Sequence, residues 1–187
     1  MIKKLKYLYC ISVIAGLMLS TAGAGFAQSP EALVRKGNRY YKTKDYDQSK
    51  LNYEEALKKS PSNVNARFNL GNAEFRKNDF EKAASGYDEV LNSKTDAKIK
   101  EDSWYNKGVA LIKQKKLDES IDAWKHALEL KPDDQEARDN LVKALLEKKK
   151  QQQQQKNDQN KDKKDKKHQP DKEKQQQKDQ QKNPEDN

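Results

Sequence analysis

Between Leu33 and Leu145 the apolar side chains return every three or four positions, and the same arrangement comes round three times. In the middle copy Leu70, Gly71, Ala73 and Phe75 are followed by Phe80, Ala83, Tyr87 and Val90. Gly37, Tyr41, Tyr46, Ser49, Tyr53 and Ala56 hold the equivalent places 34 residues upstream. Gly108, Ile112, Leu117, Ser120, Trp124 and Ala127 hold them 37 residues downstream, so three residues have been inserted. Spacings of three and four put side chains on one face of a helix, and each copy holds two such runs split by a short polar turn. Each copy therefore predicts a pair of antiparallel helices, A and B. After Pro132, Ala137, Leu141, Ala144 and Leu145 mark one further amphipathic helix, and from Lys148 onward no apolar side chain remains.

The small residues explain how such pairs close. Gly37, Gly71 and Gly108 on the A helices, and Ala56 and Ala127 on the B helices, allow two backbones to approach where larger side chains would leave voids. Pro61 and Pro132 end B helices by removing a donor. Ser29-Pro30 reads as a cap and first turn, and Asp45 and Asp79 stand where a carboxylate caps a B helix. The third copy has Lys116 there, which predicts its least well capped turn. The insertion Asp96-Ala97-Lys98-Ile99-Lys100 holds no Gly or Pro, so the third A helix is predicted to start early, over about residues 95–114. A period of 34 with these residue roles resembles the tetratricopeptide repeat (TPR). That resemblance implies an all-α fold: a right-handed superhelical solenoid of three hairpins at 30–63, 64–97 and 98–132, with a capping helix at 133–147.

Composition alters the picture only at the ends. The net charge of +9 divides into +3 for residues 1–27, +1 for 28–147 and +5 for 148–187. The repeats are thus nearly neutral, and the basic balance gives no ground for nucleic-acid binding. Lys3, Lys4 and Lys6, the apolar stretch from Leu8 to Leu19 and the small-residue exit Ala22 to Ala27 read as a secretory signal peptide, or as an uncleaved anchor if not cut. Both readings predict an exported chain, in the periplasm or attached to the membrane and facing it. The lone Cys10 lies inside that stretch, so no intrachain disulfide can form. Residues 148–187, rich in Lys, Gln and Asp, are predicted disordered beyond a frayed helical start, since they offer nothing to bury.

Little here points to chemistry. The two histidines, His126 and His168, stand alone, no glycine-rich loop would hold a phosphate, and no serine sits in a nucleophile elbow; no enzyme, cofactor or metal is predicted. The TPR resemblance instead implies a concave groove lined by A helices: Val34, Asn38, Tyr41 and Lys42, then Phe68, Asn72, Phe75 and Arg76, then Tyr105, Val109, Ile112 and Lys113. Its apolar midline would suit a helical or extended segment of another protein. One TPR subclass grips C-terminal carboxylates with two asparagines and three cations. Asn38 and Asn69 match it, whereas Val34, Asp102 and Asn106 stand where the cations belong, which argues against such a clamp. The full layout, with Phe26-Ala27-Gln28 ending the leader, Ala137-Arg138-Asp139-Asn140-Leu141 in the capping helix and the polar tail, resembles the small TPR proteins of the bacterial aerotolerance (Bat) cluster. That resemblance implies an envelope scaffold whose partners include membrane-anchored Bat proteins with von Willebrand factor A domains. A chaperone-like holder of exported unfolded chains is the alternative.

Overall fold

The computed structural model describes residues 28–180, so residues 1–27, where the sequence predicts a leader, and residues 181–187 lie outside the described residues. Seven helices make up the described chain: α1 (Pro30–Lys42), α2 (Tyr46–Lys59), α3 (Val64–Arg76), α4 (Phe80–Leu91), α5 (Ala97–Lys113), α6 (Leu117–Leu130) and α7 (Gln135–Gln180). They fall into two compact units divided after Lys77.

Six of the seven described helix starts are marked by a capping side chain. The side chains of Ser29, Asp45, Asn63, Asp79, Asp96 and Asp134 each accept a hydrogen bond from the backbone N–H three residues on, at 2.8 to 3.3 Å. These bonds satisfy amides that have no partner inside the helix. Lys116, which precedes α6, makes no such bond. Asp96 caps α5, so the third A helix starts at Ala97, one turn early as its insertion predicts. The turns inside the hairpins place Lys44, Asn78 and Lys115 at φ of 63°, 64° and 63°, a left-handed conformation uncommon for residues other than glycine.

In the first unit α1 and α2 close on each other where Gly37 meets Tyr53. A methyl group at Gly37 would stand 2.5 Å from Tyr53 Cε1, so only glycine leaves room for the ring. Ser49 Oγ ties the pair by donating to Gly37 O at 3.1 Å. Tyr53, Leu33, Val34 and Ala56 form a core with Ala66 and Ala73 of α3. Lys50 of α2 reaches Glu74 of α3 at 2.7 Å, which holds a carboxylate that is otherwise buried.

The second unit repeats the device, with Gly108 of α5 under Trp124 of α6 and the same 2.5 Å clearance for an added methyl. Lys107 of α5 pairs with Asp88 of α4 at 2.5 Å. Ile121 and Trp124 of α6 are covered by Ala144 and Leu141 of α7, so that helix caps the repeats as predicted.

The tail departs from expectation. Residues 148–180 were predicted disordered, and α7 instead continues to Gln180. Burial was the wrong criterion. Lys, Gln and Glu lose little side-chain freedom in a helix, and extending a helix already nucleated at Asp134 costs far less than starting one. No Gly interrupts the run, although Pro170 takes one donor out of it.

Candidate partner-binding site

A hollow with a fixed polar lining lies in the first unit, between α1 and α3. Asn38, Tyr41 and Lys42 of α1, Tyr53 of α2, and Asn69 and Asn72 of α3 line this space of about 240 Å³. Its floor is a fixed hydrogen-bond chain. Tyr53 Oη donates to Asn38 Oδ1 at 2.6 Å, and Asn69 Nδ2 donates to the same oxygen at 3.1 Å. Both lone-pair directions of that oxygen are then used, which fixes the orientation of the Asn38 carboxamide. Burial pushes the Tyr53 hydroxyl above its ordinary value, which keeps it protonated as the donor this chain needs.

Tyr41 forms one wall. Its ring meets Tyr46 edge to face with centroids 5.3 Å apart, and the Arg76 guanidinium lies 5.1 Å from the Tyr46 centroid. Burial pushes the Tyr41 hydroxyl up, and the nearby Arg76 offsets part of that. Arg76 is thereby held next to Tyr41 over the face of Tyr46.

Of the predicted groove residues, the structure brings Asn38, Tyr41, Lys42 and Asn72 together in this hollow and sets Arg76 next to it. Phe68 and Phe75 are half-buried on α3. Val34 is a correction: it was expected on the groove midline and is buried in the core. The small Ala66 and Ala73 draw α3 close to α1, and Val34 fills the space between them. Tyr53, which the repeat pattern marks only as one of its recurring positions, also orients Asn38 through its hydroxyl. A buried tyrosine needs a partner for its hydroxyl, and that rule was the available signal.

In the second unit, Tyr105, Val109 and Ile112 pack against the Ile121, Trp124 and Ala144 cluster, and Lys113 is exposed. Tyr105 Oη donates to Glu136 at 3.2 Å and accepts from Asn140 at 3.4 Å, both on α7. These three residues, predicted to line a groove, thus form the seat of the capping helix. Beneath it Glu101 is buried, and its carboxyl is pushed up by burial first, then by the charge of Asp102 and by a hydrogen bond with Asp134. Asp134 is held below its ordinary value chiefly by the Ala137 N–H that it caps.

Among the described residues no group of three His, Cys, Asp or Glu side chains could hold a metal ion, and no helix is long and apolar enough to cross a membrane. Models of the tetratricopeptide repeat match residues 34–98 and 101–134. The chain is a tetratricopeptide repeat protein.

Solved TPR structures share its fold. The first TPR domain of human RPAP3 is 27% identical, with a TM-score of 0.59, over 66% of this chain and 98% of that one. The first TPR of Spaghetti (RPAP3), bound to the HSP90 peptide SRMEEVD, is 26% identical with a TM-score of 0.58, over 64% and 93%. YrrB, described as a TPR protein with an unusual peptide-binding site, is 19% identical with a TM-score of 0.59 over 69% and 65%, which shows the fold alone. A search of the curated proteins finds no match. In this TPR protein the two asparagines shared with the carboxylate-clamp pattern, Asn38 and Asn69, bond to each other, while Val34 puts a buried apolar side chain where that pattern has lysine.

Proposed function

We propose that this TPR protein is a non-catalytic scaffold that holds a segment of another protein against the A-helix side chains of its first unit. The hollow lined by Asn38, Tyr41, Lys42 and Asn72 carries the reading. A ligand site is concave, largely pre-formed and furnished with a few oriented polar groups, and this hollow has an aromatic wall and a carboxamide already locked by its neighbours. The peptide held by the RPAP3 relative supports the same use of the fold. The leader and the overall layout favour export to the bacterial envelope, with partners drawn from the Bat proteins that carry von Willebrand factor A domains.

Photo-crosslinking in cells tests this. A benzophenone amino acid placed at Tyr41 of the full-length chain should give one or two discrete partner adducts. The same group at Lys58, exposed on α2, should give none. A smear of many clients at Tyr41 would favour the chaperone-like alternative, and equal yields from both positions would remove the site.

A further inference from the structure

The charge on α1 is arranged unlike that on the other helices. Each of α2 to α7 contributes at least one side chain to an ion pair, for example Lys50, Glu74, Asp88, Lys98, Lys125 and Lys148. Among the described residues, no charged side chain of α1 does so. Yet α1 carries Arg35, Lys36, Arg39 and Lys42 against a single acid, Glu31. At roughly 100° per residue, Asn38, Lys42, Arg35 and Arg39 follow one another around an arc of about 100°. Arg35, Arg39 and Lys42 are all exposed. Glu31 shares this arc at its N-terminal end, one turn before Arg35. Lys42 lines the hollow itself, Arg35 and Arg39 extend the exposed positive charge along α1 away from it, and the exposed Arg76 adds a further charge from α3.

We infer that this face takes an acidic internal peptide segment, with one large apolar side chain in the hollow and flanking carboxylates on Arg35, Arg39 and Lys42. The inference rests on the scaffold reading and names the chemistry of its partner. Three features select that occupant. At about 240 Å³ the hollow falls below the roughly 300 Å³ at which sites for whole small ligands begin, so it suits a single side chain. Its lining of carboxamides, Asn38, Asn69 and Asn72, is of the chemical kind that pairs with peptide groups. The guanidinium forks of Arg35 and Arg39 match carboxylates in shape as well as charge, and among the described residues neither is engaged in an ion pair. A free C-terminus is not required, because the cations that would hold it are missing from this chain.

The test titrates the full-length protein by fluorescence anisotropy with three short peptides, each acetylated, amidated and centred on phenylalanine. One has Glu and Asp flanks, one Gln and Asn, one Lys. The acidic peptide should bind about tenfold more tightly than the neutral one, and the preference should shrink as salt rises. The double variant Arg35→Glu/Arg39→Glu, both sites exposed, should lose that preference and gain the lysine peptide. Lys58→Glu/Lys59→Glu on α2 should change nothing. Neutral and acidic peptides of equal affinity that both displace the partner crosslinked at Tyr41 would overturn the charge assignment while leaving the scaffold standing. Binding to phosphatidylglycerol vesicles with the same arginine dependence, and to none of the peptides, would overturn it in favour of a lipid surface.

Discussion

A methyl group added at Gly108 would meet Trp124 Nε1 at 2.5 Å, and one at Gly37 would meet the Tyr53 ring just as closely. Both rings are almost fully buried and cannot swing away. Gly108→Ala should therefore destabilise the protein by about 1–3 kcal/mol in chemical denaturation, even though alanine is the better helix former. The rhythm of small residues was legible because it repeats at a fixed period. The Tyr53, Asn38 and Asn69 chain was not, because a sequence gives positions and leaves open which amide atom meets which hydroxyl. Glu101 was equally silent, since a helix position does not show that a carboxyl is buried beside a second one. Its raised value means that the fold favours the protonated form. That contribution is complete below its ordinary value of 4.5 and is lost as pH rises through the folded value. Asp134 runs the opposite way, stabilising above its ordinary 3.8 and losing this as pH falls through its lowered value. Glu101→Gln keeps a donor for Asp134 and removes the buried charge. Its melting temperature should exceed that of the parent at neutral pH, and the two should converge near pH 4.

The element that the sequence described best is α5, whose early start follows from Asp96 and an insertion without helix breakers. The same logic singled out α6 as the helix without a cap. Lys116 has φ −89° and ψ 72°, nearly the backbone of the capping residues Asp45, at −83° and 77°, and Asp79, at −85° and 72°. Lys116→Asp should thus find its hydrogen bond without rearrangement and stabilise by about 0.5–2 kcal/mol, read as a raised denaturation midpoint. Next to it, Lys115 holds a left-handed conformation that costs a residue with a Cβ about 1–2 kcal/mol. Lys115→Gly should recover part of that cost, the gain reduced by the extra freedom of glycine in the unfolded chain. The tail was misjudged at this same scale, because lack of apolar surface rules out packing and not helix formation.

Across the whole chain, α7 joins two stretches of different stability. Its first turns are anchored by Ala137, Leu141 and Ala144, while the stretch beyond Lys148 relies on propensity alone. Removing residues 160–187 should leave the main thermal transition unchanged, whereas ending the chain before Gln135 should uncover Ile121 and Trp124 and lower its midpoint sharply. Circular dichroism would show the polar stretch fading gradually with heat, ahead of the cooperative step. The fastening of α7 to the repeats also has a mechanical side. Its described side chains meet α5 and α6 at successive points, Glu136, Asn140, Ala144 and Lys148, each about a turn beyond the last. A pull on the C-terminus would strain these points one at a time, starting from Lys148, and α7 would peel away like a strip of tape at a force well below that needed to part α5 from α6.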